Sequence, residues 1–336
     1  MTVDHNDITK VSKIILGGAT LNTQYNDNPE EVPIVDMLKH AFTNGINAID
    51  TSPYYGPSEI IFGQALHKLK SPDEDGLSFT RDQYYICTKV GRIKLEEFDY
   101  SPKAVRASVL RSCERLDTDY LDLVYLHDVE FVEFTKSMEA LKELRKLKEE
   151  GVIRHFGLSG YPVKYLAFLC NECAKHPEIG PLDAVLSYCN YNIQNTTLEK
   201  YINSIRKDAK VKLLSNASIL GMSLLRSQGI HSFHPASDEL KAKCRQAAEY
   251  THKHGVEIQD LANRYAMFNW HKYGPTVIGV SNVAELQDAI IDYQITEKDK
   301  LPENDIKLVK HIQEEILGTE HYNETWDSGI PHPELP

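Results

Sequence analysis

Short apolar runs alternate with longer amphipathic ones along this chain, the pattern of βα units that share a parallel sheet. The first strand candidate is Lys13 to Leu16, ending in Gly17-Gly18, and helix-period residues then run from Val32 to Phe42 until Asn44-Gly45 stops them. A second strand-like run, Ile46 to Ile49, closes at Asp50, and Ser58 stands where it can cap a helix from Glu59 to Leu69. Tyr84 to Thr88 forms a third strand ending in Lys89; Ser101-Pro102 then opens a helix with a cap residue and a proline at the first helical position. The fourth strand, Leu121 to Leu126, ends in His127 and is followed by a helix from Ser137 to Glu149 that stops at Gly151. His155 to Leu158 ends in Ser159, and the sixth and seventh strands are Ala184 to Tyr188 and Val211 to Ser215. Two helical stretches, Asp238 to His254 and Ile258 to Trp270, lead to an eighth strand, Thr276 to Val280, and a helix from Ala284 to Asp292. Asp305 to Leu317 is a last amphipathic stretch before a Pro-rich tail.

Eight such units, with no Pro/Gly/Ser-rich linker between them, predict a closed (β/α)8 barrel. The chain has 336 residues, enough for one such barrel or for two small domains. The reading is one domain over 1–336, with the barrel at about 12–295 and a C-terminal helix and tail at about 302–336 lying over it. A doubly wound open sheet is the alternative. It normally carries Gly-x-Gly-x-x-Gly after its first strand, and Gly17-Gly18-Ala19-Thr20-Leu21-Asn22 does not match.

Barrel chemistry gathers at the C-terminal strand ends, and there the ionisable residues fall. Asp50-Thr51-Ser52-Pro53-Tyr54-Tyr55-Gly56 puts a carboxylate and a phenol in one turn, Lys89 ends the third strand, and His127 ends the fourth. A phenol titrates near ~10 and needs a neighbouring cation to act as a base at neutral pH. Lys89 can supply that charge, Asp50 can pair with the lysine, and His127 can donate to a substrate oxygen. The set suits proton transfer at a carbonyl or alcohol oxygen, with hydride carried by a cofactor. Tyr85 and Lys89 also spell Tyr-x-x-x-Lys. On a helix that step brings the two side chains within roughly 6 Å, whereas on a strand it spans about 13 Å, so Tyr85 does not reach Lys89.

The formal charge of −12 argues against non-specific binding to nucleic acid or anionic lipid. Six scattered cysteines read as reduced thiols in a cytoplasmic protein. Cys170 and Cys173 have the spacing of a metal pair without a second pair to complete it, so they read as buried helix residues and no metal is expected. The first residues lack a signal-peptide core, and no apolar run approaches the ~18 residues of a membrane span. Oligomeric state leaves no trace in the pattern.

From Gly17 to about Ala289 the chain resembles the aldo-keto reductases. Asp50 to Gly56 is similar to the family's Asp-Thr-Ala-x-x-Tyr-Gly, with Ser52 in place of Ala, and the tetrad carries over to Asp50, Tyr55, Lys89 and His127. The resemblance implies a barrel with a nicotinamide cofactor across its C-terminal mouth and Tyr55 as general acid/base. It points to Gly18, Ala19, Ser159, Gly160, Ser218, Leu220, Gly279, Ser281, Glu285 and Asp288 as cofactor contacts. Gly160 replaces the Asn of the family's Ser-Asn pair, Ala217 stands where the family often has a nicotinamide-stacking Tyr, and the usual strand-six Gln is not evident. Gly279 and Glu285 occupy the places of the Lys and Arg that hold a 2′-phosphate, which implies NAD rather than NADP.

Several segments resemble the family's NAD-dependent, D-arabinose-oxidising branch from fungi, with plant L-galactose-oxidising members more distant. These are Asn47 to Glu59, Cys87 to Arg92, Tyr120 to Val129, Leu186 to Asn190 and Ser328 to Pro333. The branch implies an aldose substrate oxidised at C1 to the aldonolactone, feeding erythroascorbate synthesis. Tyr54, Arg92, Asp128 and Trp326, in loops at the expected mouth, are the candidate sugar contacts. Two alternatives remain: an NADPH-dependent aldehyde or ketone reductase, and a cofactor-binding regulatory subunit with little turnover.

Overall fold

The computed structural model describes residues 2–298 and 300–335. Eight parallel strands close on themselves in chain order: β1 Ile14–Gly17, β2 Ala48–Asp50, β3 Tyr85–Val90, β4 Leu121–His127, β5 Ile153–Gly160, β6 Ala184–Tyr188, β7 Leu213–Ala217 and β8 Thr276–Gly279. Closure runs through β1 and β8, with Ile14 opposite Thr276 and Gly17 opposite Gly279. The helices around the barrel are α1 Ile34–Thr43, α2 Ser58–Leu69, α3 Pro102–Arg115, α4 Phe134–Glu149, α5 Val163–Lys175, α6 Asp238–Lys253, α7 Ile258–Trp270, α8 Val283–Thr296 and α9 Glu303–His311.

Strand alternation decides which side chains fill the barrel and which meet the helices. Tyr85 and Cys87 of β3, with Leu123 and Tyr125 of β4, belong to one interior cluster. Ile86 and Val90, with Val124 and Leu126, belong to the larger apolar layer under the helices. Lys89 is in phase with Tyr85 and Cys87, and His127 with Leu123 and Tyr125, so the pleat that packs the interior aims both at the mouth. Tyr85 lies at the opposite end, its hydroxyl donating to the carbonyls of Asp4 and Asp7 at 2.9 and 3.2 Å. It therefore has no part in the Lys89 site.

Four details depart from the sequence reading. Ser58 opens α2 but does not cap it; its hydroxyl donates to the Gly18 carbonyl at 2.9 Å and sits 2.8 Å from Thr51 Oγ1, tying β1, β2 and α2 together. The β6–β7 crossover has no regular α-helix, only a 3-10 turn at Thr197–Tyr201 and a π turn at Ser204–Asp208. β7 begins two residues later than read, because Lys212 and Leu213 turn their N–H groups to the Asp183 carbonyl. The last amphipathic stretch is α9 followed by a π turn over Ile312–Leu317. It packs in a second apolar cluster with Leu240 and Leu261, while Arg264 of α7 binds Asp305 and Asp292. Cys170 and Cys173 are fully buried on α5. No described helix is long and apolar enough to cross a membrane.

Candidate active site

β2 ends at Asp50, whose Oδ1 accepts from Lys89 Nζ at 2.5 Å. Lys89 is 1 % exposed and also donates to the Thr51 carbonyl at 3.0 Å. Burial opposes its charge, yet the Asp50 carboxylate and the Tyr55 phenol outweigh burial and hold the ammonium above its ordinary range. The turn after β2 carries Tyr55 back over this pair, with its N–H on the Ser52 carbonyl at 3.0 Å, and Lys89 Nζ lies 4.8 Å from the Tyr55 ring centre. Burial raises the Tyr55 phenol above its usual value, and Lys89 only partly offsets that. The phenol is thus a protonated group beside a fixed cation, not a preformed phenolate.

His127, the last residue of β4, stands edge-on to Tyr54 and Tyr55 with ring centres 5.8 Å apart in each case. Burial drives its imidazole down to about 3, with Lys89 and Arg92 acting the same way and Asp128 against, so the ring is neutral at physiological pH. Its Nδ1 is 3.1 Å from Ser52 Oγ and its Nε2 is 3.5 Å from Asp128 Oδ2. Asp50, Tyr55, Lys89 and His127 all line one cavity of about 1330 Å³. That exceeds the ~300–1,000 Å³ of an ordinary small-ligand pocket and leaves room for a dinucleotide and a sugar together.

Three of the four predicted sugar contacts form a wall beside the tetrad. Arg92 binds Asp128 Oδ2 through Nη1, donates to the Leu95 carbonyl at 2.9 Å, and lies 4.2 Å above the Tyr54 ring. Arg92 Nε and Asp128 Oδ1 are buried without a partner. Asp128 holds φ 56° and ψ 61°, a left-handed conformation that costs a non-glycine residue ~1–3 kcal/mol and concentrates at functional sites. Trp326 comes from the tail and stacks on Tyr161 at 5.2 Å, with His234 against its edge at 4.9 Å. One indole face is thereby covered, and Trp326, held in a tail-and-loop aromatic cluster, borders the cavity.

Ala19, Ser159, Ser218, Leu220, Gly279, Ser281, Glu285 and Asp288 line the same cavity. Two predicted contacts do not. A Cβ on Gly18 would meet Ser58 Oγ and Phe62 at 2.4 Å, so Gly18 faces α2, and Gly17 with Ala19 borders the cavity instead. A Cβ on Gly160 would meet Glu130 Oε2 at 2.3 Å: the Glu130 side chain fills the space that a larger residue 160 would take. Glu130 accepts from the Tyr161 N–H at 2.9 Å, its carboxyl raised to about 8 by burial and by Asp128. Glu285 borders the cavity with its carboxylate folded back onto the backbone: its Oε2 accepts from the Ser281 N–H at 2.8 Å, and Asn282 Oδ1 accepts from the Glu285 N–H at 2.9 Å.

The sequence reading missed Glu130, Tyr161, Tyr188 and Asp260, which all line the cavity, and Tyr25, which meets His231 and Phe233 edge-on across it at 5.6 and 5.5 Å. Asp260 adds a third carboxyl near Glu285 and Asp288, raised by burial and by Asp288 with Glu257 although Arg264 opposes. A run of tyrosines and a carboxylate two residues beyond the strand-end pair His127-Asp128 were the available signals.

A sequence profile described as the aldo/keto reductase family matches residues 13–314. The chain is 54 % identical over 332 residues to D-arabinose 1-dehydrogenase of Saccharomyces cerevisiae, covering 98 % of this chain and 97 % of that one. It is 33 % identical over 324 residues to L-galactose dehydrogenase of Arabidopsis thaliana, covering 96 % and 95 %. Among solved structures, a glycerol dehydrogenase from Gluconobacter oxydans superposes with a TM-score of 0.65 at 21 % identity, covering 97 % of each chain. An aldo-keto reductase from Bacillus halodurans gives 0.64 at 21 %, covering 94 % of this chain and 96 % of that one, and both likenesses concern the fold. Profile and relatives agree over nearly the whole length, and the chain belongs to the aldo/keto reductase family.

Proposed function

We propose that this protein is an NAD-dependent aldose 1-dehydrogenase acting on D-arabinose and related sugars. The observation that carries the reading is the juxtaposition at one mouth of the Tyr55–Lys89–Asp50–His127 group with the Arg92–Asp128 pair, whose side chains line the same cavity. The 54 % identity to a D-arabinose 1-dehydrogenase supports the substrate class.

Each residue then has a task. Arg92, Asp128 and Tyr54 hold the ring hydroxyls, and His127 donates to the anomeric oxygen. Tyr55 takes the anomeric proton as a phenolate, after its phenol has released its own proton to solvent. Burial raises the phenol, so Lys89 has to stabilise that phenolate until it receives the sugar's proton, and Asp50 keeps the ammonium in place. Oxidised nicotinamide, when bound, accepts the hydride from C1. Loss of that hydride and of the hydroxyl proton leaves C1 as the carbonyl of an aldonolactone, and we place the reaction in the cytoplasm, ahead of erythroascorbate synthesis.

Ser159, Ser218, Leu220 and Gly279 fit the cofactor because they border a cavity long enough for it. Glu285, Asp288 and Asp260 at its end favour a free ribose diol over a 2′-phosphate, which weighs against the NADPH-dependent alternative. Nicotinamide absorbance with a panel of D-arabinose, L-fucose, L-galactose and L-xylose, run with NAD and NADP, tests the proposal. Turnover with NAD on at least one aldose is expected, and Tyr55→Phe should abolish it while leaving cofactor binding intact. Inactivity on every aldose, or full activity in Tyr55→Phe, would overturn it.

A further inference from the structure

Ser52 is fully buried and does not line the cavity, yet it touches the one tetrad member whose function depends on which nitrogen bears a proton. Its Oγ accepts the Tyr54 N–H at 3.1 Å. A hydroxyl has one proton to give, and the neighbour placed to take it is His127 Nδ1 at 3.1 Å. An imidazole that accepts at Nδ1 carries its proton on Nε2. That nitrogen is turned toward Asp128 Oδ2, at 3.5 Å, in a ring that lines the cavity.

We infer that Ser52 is a positioning residue that fixes His127 in its Nε2–H tautomer, so that the imidazole presents a donor, not an acceptor, to the substrate oxygen. The inference rests on the dehydrogenase reading for its consequence, but the tautomer itself is a property of the protein without substrate. The competing reading is that Ser52 only braces the turn that carries Tyr54 and Tyr55, since the same hydroxyl accepts a backbone N–H there.

The two readings separate in nitrogen-15 NMR of the histidine side chains at neutral pH, with His127 assigned by its loss in His127→Gln. Wild type should show one protonated and one bare ring nitrogen for His127, the proton on Nε2. Ser52→Ala should move the two signals toward each other as the Nδ1–H form gains about fivefold in relative population, the equivalent of one neutral hydrogen bond. Ser52→Thr, which keeps the hydroxyl, should restore the wild-type pattern. If aldose oxidation is correct, Ser52→Ala also lowers kcat in proportion to the loss of the Nε2–H fraction, by less than about fivefold, with cofactor affinity unchanged. An Nδ1–H tautomer in wild type, or identical His127 spectra in wild type and Ser52→Ala, would overturn the inference. Normal His127 spectra with no turnover on any aldose would instead count against the substrate reading and leave the tautomer assignment standing.

Discussion

Replacing Lys89 with methionine removes the donor from a buried carboxylate. Asp50 Oδ1 loses its 2.5 Å contact, and Oδ2 is already buried without a partner. At an effective dielectric of ~20 the Lys89–Asp50 attraction is of order 5 kcal/mol, and breaking a buried pair by removing one member typically costs ~3–5 kcal/mol. The carboxyl can escape part of that by taking up a proton, since burial already pushes it above its ordinary range. The folded variant then binds a proton that the unfolded chain, with its value near ~3.9, has released. Stability of Lys89→Met should therefore fall as pH rises from ~4 through the raised folded value. Asp50→Asn leaves the complementary problem, a buried ammonium with neutral acceptors but no counter-charge. The double variant carries neither charge, so its loss should be smaller than the sum of the single losses by about 3 kcal/mol. Urea unfolding at pH 5 and pH 8, followed by the emission of the two tryptophans, measures all four corners of the cycle. Turnover should vanish in all three variants, so recovered stability would not recover activity. Additivity within ~0.5 kcal/mol, or a pH slope equal to wild type in Lys89→Met, would refute the claim that these two charges depend on each other.

Glu285→Lys should raise kcat/KM for NADP relative to NAD at least tenfold, the effect of ~1.4 kcal/mol at the 2′-position, and an unchanged ratio would remove Glu285 as a basis for cofactor choice. The buried neutral His127, held at about 3, refuses a proton that an unfolded histidine takes up near ~6.5. Its contribution is complete above ~6.5 and lost as pH falls toward 3, of order 5 kcal/mol at the acid end. His127→Gln should flatten the fall in urea midpoint between pH 7 and 4, and parallel curves would exclude His127 as its source. Asp122→Asn should lose ~3 kcal/mol of stability but keep kcat/KM within a few-fold at a temperature where it stays folded. Asp128→Asn should lose at least a hundredfold in kcat/KM for the sugar, and the reverse pattern would exchange their assignments.

The barrel and the convergence of Asp50, Tyr55, Lys89 and His127 were legible because both follow from local rules. Turn residues mark strand ends, and alternation fixes which strand residue points inward, so Lys89 and His127 could be placed from their phase alone. What was not legible depends on distant pairs. Gly160 predicted a lost contact, but that Glu130, thirty residues earlier, fills its place is a fact of packing between β5 and the turn after β4. The Tyr25 contact with His231 and Phe233 joins loops from opposite sides of the mouth. Leu198, Ile202, Ile205 and Ala209 repeat at helical spacing and are all buried, yet 3-10 and π turns place them just as well, because burial constrains the side chains and not the hydrogen-bond ladder. Ser58 looked like a cap because its position was right; its hydroxyl instead donates to the Gly18 carbonyl and pairs with the Thr51 hydroxyl.

The division between stability and chemistry shows in how carboxylates are satisfied. At the closed end of the barrel both oxygens of Asp122 are occupied, Oδ1 by His5 at 2.5 Å and Oδ2 by Arg81 and the Ile86 N–H at 2.6 and 2.7 Å. Asp183 is similarly engaged, Oδ2 by Lys148 at 2.5 Å and the Phe156 N–H at 3.2 Å, Oδ1 near His155 and Lys212 at 3.6 Å. Among the described residues the buried carboxylate oxygens left without a partner are Asp50 Oδ2, Asp128 Oδ1 and Glu130 Oε2, all from residues at the mouth. An unmet buried acceptor costs ~1–3 kcal/mol, more when charged; Glu130, its carboxyl raised to about 8, is protonated at neutral pH, which leaves Asp50 and Asp128 as the charged cases in a fold that satisfies its carboxylates elsewhere. Folding alone gives no reason for that asymmetry. The asymmetry marks the mouth as the end of the barrel where polar groups serve something other than folding, in keeping with chemistry there.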